Sequence, residues 1–188
     1  MREVELKSVV DDIDRRRALV EQAGGKLEFE GRLVDRRYGD SAGRLMLIDH
    51  VLRLRTYETV RGREGHLDWK GPTQYENGYK VREELSTKVG DPDALADILE
   101  SLGYSVILQL ERQIWQYGLG LATVRFEKYP RMDDLVEVEG PPEAIEKGIA
   151  VIGLERSGYS ADRLTDFVSR YEARTGTSAL LAHPATRS

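Results

Sequence analysis

Charged and apolar residues alternate along much of the chain, and this pattern predicts β-strands. In residues 3–7, for example, the three charged residues lie on one face of the predicted strand, and Val4 and Leu6 lie on the other. The predicted strands cover residues 3–7, 27–38, 45–57, 66–70, 79–88, 105–117, 119–129 and 133–139. They lack the strand–helix–strand rhythm of a parallel sheet, so an antiparallel sheet is predicted.

Apolar side chains spaced three or four residues apart predict four helices. These helices cover residues 11 or 12 to 24, 91–103, 141–152 and 160–176. Asp11 or Asp12 is the predicted N-cap of the first helix, Asp91 that of the second and Ser160 that of the last.

Strands with helices inserted and appended indicate an α+β fold built on one large antiparallel sheet. Closure of that sheet into a barrel is one arrangement that would protect its edges. No internal repeat and no interdomain linker is found, so residues 1–176 are predicted to form a single domain. Residues 177–188 show no periodicity and are expected to form a flexible C-terminal tail.

The composition argues against several classes of function. The 188 residues include 28 Lys and Arg and 33 Asp and Glu, a net charge of −5, which does not suit a basic nucleic-acid-binding protein. With no cysteine there is no disulfide, no Cys-ligated zinc and no thiol nucleophile. No run of ~20 apolar residues and no secretory leader is found, so a cytoplasmic protein without membrane contact is expected.

Like charges recur two residues apart in three predicted strands, where their side chains repel. The pairs are Glu3 and Glu5, Arg53 and Arg55, and Glu137 and Glu139. One interpretation is that these are the wet faces of ordinary antiparallel strands. The other is that a closed barrel turns them inward, so that carboxylates bind a metal and arginines bind phosphate. Carboxylates without imidazole or thiolate partners favour Mg²⁺ or Mn²⁺ over zinc.

The charged motifs follow one another in a fixed order. They are residues 3–7 (EVELK), 35–40 (DRRYGD), 52–55 (LRLR), 69–72 (WKGP), 81–84 (VREE), 111–115 (ERQIW) and 134–140 (DLVEVEG). As a set they resemble the CYTH superfamily, the triphosphate tunnel metalloenzymes, whose E-x-E-x-K signature is matched by residues 3–7. The superfamily includes class IV adenylate cyclases, thiamine triphosphatases and inorganic tripolyphosphatases. The resemblance spans residues 1–171.

Three positions depart from the family pattern. Leu110 stands where the K-x-R strand has its lysine, which leaves Arg112 alone in that motif. Glu127 stands where an aspartate is usual, and Arg37 where an aromatic residue is common. The missing lysine bears on which substrate is bound, because it removes one cation from the expected phosphate site.

The resemblance implies an eight-stranded antiparallel barrel whose lumen binds a triphosphate-containing small molecule. The implied phosphate-binding residues are Lys7, Arg53, Arg55, Lys70, Arg82 and Arg112. The implied ligands of Mg²⁺ or Mn²⁺ are Glu3, Glu5, Glu127, Glu137 and Glu139. The implied catalytic residues are Glu5, Lys7, Glu137 and Glu139.

Three functions are compatible with this resemblance. The first is a metal-dependent hydrolase of tripolyphosphate, a nucleoside triphosphate or thiamine triphosphate, and it is favoured because no segment reads as a purine pocket. The second is a class IV adenylate cyclase, and the third is a non-catalytic polyphosphate- or nucleotide-binding module. The helix at 160–176 is compatible with a lid over the lumen or with a homodimer contact.

Overall fold

A computed structural model of the protein describes residues 2–183. The strands of this part are β1 (Arg2–Val9), β2 (Lys26–Asp40), β3 (Val51–Thr59), β4 (Gly62–Lys70), β5 (Gln74–Glu76), β6 (Tyr79–Val89), β7 (Tyr104–Leu119), β8 (Ala122–Lys128) and β9 (Leu135–Glu139). They form one antiparallel sheet in the order β1-β9-β8-β7-β2-β3-β4-β6-β5, and pairing of β1 with β6 closes eight of them into a barrel. The predicted α+β fold with an eight-stranded barrel is confirmed.

Short strand β5 lies outside the closed ring as a hairpin arm of β6. Its turn has Asn77 at φ 50° and Gly78 at φ 81°, the left-handed pair that a two-residue hairpin requires. The Asn-Gly pair at 77–78 is the sequence signature of such a turn.

The helices of the described part are α1 (Ile13–Gln22), α2 (Arg44–Leu47), α3 (Pro92–Ser101), α4 (Pro142–Ile152) and α5 (Leu164–Thr175). Two predicted N-caps are confirmed: Asp12 accepts from Arg15 N at 3.0 Å, and Asp91 accepts from Ala94 N at 3.0 Å. Within residues 2–183, none of these helices has the length and apolar character needed to cross a membrane.

The largest apolar core lies outside the barrel, between the sheet and its helices. Helix α4 packs on β1, β8 and β9, and α1 packs on α4. The core includes Phe126 and Val138, whose side chains point outward from the barrel wall and are fully buried. Gly148 lets α4 approach closely, because a Cβ there would lie 3.0 Å from a methyl group of Val138. Smaller apolar clusters lie under α3 and α5.

The prediction of a strand over 45–57 is wrong in its first half. Residues 44–47 form the short helix α2, and the strand begins at Val51. Asp40 causes the difference, because its carboxylate accepts from Arg44 N at 3.0 Å and holds the chain in a helical turn. The next strand begins at Gly62 rather than at the predicted residue 66.

The predicted N-cap at Ser160 is also wrong. Ser160 instead pairs with Lys7 of β1 through two backbone hydrogen bonds of 2.8 and 2.9 Å. Helix α5 begins four residues later, where Arg163 N donates to Asp166 Oδ2 at 2.9 Å.

The expected flexible tail is docked where the structure describes it. Leu180 pairs with Arg131 in an isolated bridge, and Leu181 O accepts from Glu111 N at 2.7 Å. Leu181 also packs on the apolar cluster under α5. Residues 184–188 of the predicted tail lie outside the described residues.

Candidate functional site: the barrel lumen

One face of every barrel strand points into a single cavity of about 490 Å³. Alternation along the strands places charged side chains on this face and apolar ones on the outer face. The basic residues that line it are Lys7, Arg37, Arg53, Arg55, Lys70, Lys80, Arg82, Arg112 and Arg125. The acidic ones are Glu3, Glu5, Asp35, Asp68, Glu84, Glu127, Glu137 and Glu139. The lumen thus holds a nearly balanced set of charges that bulk water does not reach freely.

Asp35 is the centre of an arginine cluster on one side of the lumen. Its carboxylate is 1% exposed and accepts from Arg55 at 2.7 and 2.9 Å and from Arg112 at 3.2 Å. Arg53 lies 3.6 Å away. Burial alone would raise the pKa of Asp35, but the three guanidinium groups outweigh it and hold this pKa well below its usual value. Asp35 therefore stays ionised and fixes the orientation of the arginines.

Two further carboxylates complete the arginine cluster. Asp68 accepts from Arg53 at 2.7 and 2.9 Å, and Glu127 accepts from Arg112 Nε at 2.9 Å. Tyr129 donates its hydroxyl proton to the other oxygen of Glu127 at 2.7 Å. Burial, together with the charge of Glu127, raises the pKa of Tyr129, so that this hydroxyl remains a donor.

Lysines and glutamates of β1, β4, β6 and β9 form the opposite wall. Lys70 Nζ lies 2.6 Å from Glu3, Lys80 pairs with Glu5, and Lys7 pairs with Glu137. Burial would lower the pKa of Lys7, but Glu137, Glu5 and Glu127 outweigh burial and raise it. The lysine is therefore held as a cation.

Glu139 differs from the other carboxylates of this wall. It lies opposite Glu5 in the pairing of β1 with β9, and its carboxylate makes no hydrogen bond or ion pair with any described residue. Burial, and then repulsion from Glu137, raise the pKa of Glu139 to about 7. The Glu139 carboxylate thus lies in a region of excess negative charge.

Arg82 is held by backbone oxygens rather than by a carboxylate. It donates through Nε to Gly71 O at 2.7 Å and through Nη2 to Asp49 O at 2.6 Å. Burial lowers the pKa of Arg82. Asp49 also pairs with Arg163 at 3.0 Å, just before α5, and Leu164 of α5 lines the lumen.

Comparison with known proteins adds structural evidence but no family assignment by sequence. No family model and no curated protein matches the chain. Among solved structures, a Vibrio parahaemolyticus protein described as a candidate adenylate cyclase is similar, with a TM-score of 0.75, 20% identity, and coverage of 89% of this chain and 97% of that one. The PH1819 protein of Pyrococcus horikoshii has a TM-score of 0.73 and 21% identity, covering 89% and 98%.

A third similar structure comes from Hippeastrum and is described as a candidate adenylyl cyclase with a dominant triphosphatase activity. It has a TM-score of 0.61 and 16% identity, covering 97% of this chain and 100% of that one. The shared fold is established. At these identities the likeness shows the fold alone.

The structure brings all eleven residues predicted for the site into the one lumen. The predicted residues are Glu3, Glu5, Lys7, Arg53, Arg55, Lys70, Arg82, Arg112, Glu127, Glu137 and Glu139. Their catalytic, phosphate-binding and metal-binding roles stay predictions. The predicted set did not include six other charged residues of the lumen, which are Asp35, Arg37, Asp68, Lys80, Glu84 and Arg125. Arg125 donates to Glu137 at 2.9 Å. The alternation of charged and apolar residues could have identified Arg125, because Arg125 and Glu127 share one face of β8.

The carboxylates on β1 and β9 suit a hard divalent cation by donor type. Within residues 2–183, no three carboxylate or imidazole groups lie close enough together to hold a metal as they stand. The ammonium groups of Lys7, Lys70 and Lys80 are bonded to the carboxylates instead. Burial, and then repulsion from Glu137, raise the pKa of Glu139, and a cation bound there would neutralise this charge. By donor type and by charge, the residues fit the group.

Proposed function

We propose that this protein is a divalent-metal-dependent enzyme that binds a triphosphate in the barrel lumen and hydrolyses its phosphoanhydride bond. The candidate substrates are tripolyphosphate, a nucleoside triphosphate and thiamine triphosphate. The observation that carries the proposal is the lumen itself, where nine basic and eight acidic side chains from eight strands line one cavity.

The arginine cluster supports phosphate binding by its geometry. Asp35 holds the guanidinium planes of Arg55 and Arg112 at 2.7 to 3.2 Å, so these groups lose little freedom when they meet an anion. Guanidinium groups match the paired oxygens of a phosphate and stay charged at any physiological pH. Charge that develops on the transferred phosphoryl group would therefore meet donors that are already in place.

The lysine–glutamate wall supports the metal requirement. Glu3, Glu5, Glu137 and Glu139, with Glu127, would hold Mg²⁺ or Mn²⁺. When bound, the cation would neutralise substrate oxygens and lower the pKa of a water molecule. Lys7, Lys70 and Lys80 would exchange their carboxylate partners for phosphate oxygens of the substrate, which keeps both sets of charges paired.

The substitution Glu5→Gln tests the site directly. It removes one carboxylate of the wall without changing side-chain size, and we expect hydrolysis to fall by roughly 100-fold or more. The matched control is Glu143→Gln on the exposed first turn of α4. Full activity in Glu5→Gln would refute the assignment of this wall.

An adenylate cyclase is the second candidate, favoured by the likeness to the Vibrio parahaemolyticus protein. It would form a bond from the ribose 3′-oxygen to the α-phosphorus and release pyrophosphate. The description of the Hippeastrum protein favours hydrolysis. A screen of triphosphates with Mg²⁺ and with Mn²⁺, followed by identification of products, distinguishes the two. Cyclic AMP and pyrophosphate from ATP would overturn the hydrolase, and binding without turnover would indicate a binding module.

A further inference from the structure

Arg37 on β2 differs from the other basic side chains of the lumen. Each of the other eight bonds to a carboxylate or to a backbone oxygen. Arg37 makes no hydrogen bond or ion pair with any described residue, and its Nε is shielded from solvent without a partner. A shielded donor without a partner is unusual, because such groups cost free energy.

The charges around Arg37 do not account for its presence. Burial, and then repulsion from Arg53, lower the pKa of Arg37 to about 10, with Arg112 and Arg82 adding to the repulsion. Asp35 attracts it, but that carboxylate is already shared by three other guanidinium groups. Arg37 is therefore an excess cation in the interior, and it stays charged at neutral pH.

Its position in the sheet relates Arg37 to Leu110. Asp35 pairs with Leu110 and Arg37 with Leu108, so Arg37 and Leu110 are diagonal neighbours on adjacent strands. Both line the lumen, and a long side chain spans such a diagonal. A β-bulge follows at once, since Tyr38 pairs with Val106 rather than with Ile107. In the family pattern, position 110 carries a lysine and position 37 commonly an aromatic residue.

We infer that Arg37 is a phosphate-binding residue. From β2 it supplies the cation that β7 lacks at Leu110. Its free guanidinium would donate to an oxygen of the triphosphate, and the ligand would supply the negative charge that this part of the lumen lacks. The inference rests on the proposed function and adds one residue to its substrate site. It also explains how the lumen would bind phosphate without a lysine at position 110.

Binding of tripolyphosphate by the full chain, measured by calorimetry in the presence of a metal chelator, tests the inference without turnover. We expect Arg37→Gln to raise the Kd by roughly 10- to 100-fold, because one charge-assisted hydrogen bond is lost. The matched control is Arg36→Gln, which removes the same charge from the opposite face of β2. The control should change the Kd by less than about twofold, since Arg36 is half-buried and does not line the lumen.

The double variant Arg37→Gln/Leu110→Lys sharpens the test by moving the cation back to β7. It should recover most of the lost affinity. A purely structural role for Arg37 predicts instead that Arg37→Gln lowers the melting temperature of the ligand-free protein. The inference predicts an unchanged or higher melting temperature, because the repulsion between Arg37 and Arg53 is relieved.

Wild-type affinity in Arg37→Gln, or an equal loss in Arg36→Gln, would overturn the inference and leave the proposed function standing. If Leu110→Lys does not recover affinity in the double variant, the inference that Arg37 takes the place of a lysine at position 110 is overturned. A wild-type protein that binds no tripolyphosphate, with or without Mg²⁺, would overturn the proposed function and this ligand together.

Discussion

At strand β8 the two faces of the barrel wall are both buried, but by opposite chemistry. On β8, Phe126 points outward into an apolar core, while Arg125 and Glu127 on either side of it point inward. All three side chains are buried. Here the outer face is covered by α4, and the inner face is covered by its own ion pairs.

This difference separates stability from function. Apolar burial on the outer face stabilises the fold in proportion to the area removed from water. Buried ion pairs stabilise far less, because the cost of removing charges from water offsets most of their attraction. The lumen therefore contributes a prepared set of charges, and the outer core supplies the free energy that keeps these charges in place.

The outer core gives the largest expected effect on stability. Phe126→Ala leaves a cavity in a fully buried apolar cluster, and we expect it to lower the free energy of unfolding by about 3–5 kcal/mol. Chemical denaturation measures this loss. The exposed Val60→Ala is the control and should change the free energy by less than about 0.5 kcal/mol. A loss near zero in Phe126→Ala would mean that the outer core does not carry the fold.

Asp35→Asn tests the inner face where one carboxylate serves three arginines. The change keeps the shape but leaves buried guanidinium groups without their anion, so we expect a loss of about 2–4 kcal/mol. Because the pKa of Asp35 is lowered by folding, this contribution is present above pH ~4 and is lost as the solution becomes more acidic.

The exposed Asp14→Asn is the control for this substitution, since Asp14 sits at the surface and its partner Arg17 lies 3.4 Å away. Equal effects of the two substitutions at pH 7 would contradict the view that Asp35 organises the lumen. A second check is the binding of tripolyphosphate, which should weaken in Asp35→Asn because the arginines lose their fixed orientation.

Alternation made the lumen predictable from sequence wherever both faces of a strand are buried. Glu137 and Glu139 alternate with Val136 and Val138 along the chain, and the structure places the two pairs on opposite sides of β9. The sequence also contains the alternation that places Arg125 inside. Arg125 shares one face of β8 with Glu127, which was predicted for the site, so the alternation followed back from Glu127 would have included it.

Other parts of the structure depend on contacts that no local pattern records. Residues 45–50 are apolar enough to form a strand, but Asp40 holds them in a helical turn. Leu180 and Leu181 look like part of a tail, yet they dock on residues about 50 to 70 positions away along the chain. The pairing of Lys7 with Glu137 likewise becomes visible only when β1 and β9 are known to be neighbours.

Glu139→Gln should stabilise the metal-free protein, in contrast to Asp35→Asn. Folding raises the pKa of Glu139 from 4.5 to about 7, so the charged carboxylate destabilises the native state at higher pH. We expect the variant to be more stable than the wild type by about 1–2 kcal/mol at pH 8, and by almost nothing at pH 4. Denaturation at the two pH values, in the presence of a chelator, measures this.

The control for the pH effect is Glu5→Gln. Glu5 pairs with Lys80 and lies 3.4 Å from Lys7, so its removal takes away the partner of Lys80 and leaves Lys7 with Glu137 alone. The substitution should therefore not stabilise the protein. A stabilisation of Glu5→Gln equal to that of Glu139→Gln would show that the whole wall is uniformly repulsive. A gain that is independent of pH would contradict the assignment to Glu139.

The smallest effect is expected at the rim of the barrel, where the ion pairs are partly exposed to solvent. Arg163 and Asp49 pair at 3.0 Å, but their side chains are 50% and 34% exposed. Solvent and salt screen such a pair, so Arg163→Ala should lower the free energy of unfolding by less than about 1 kcal/mol. Added salt should reduce that difference further, while the effect of Asp35→Asn should persist. A loss of several kcal/mol would instead mean that this pair holds α5 in place, and that the rim of the barrel also stabilises the fold.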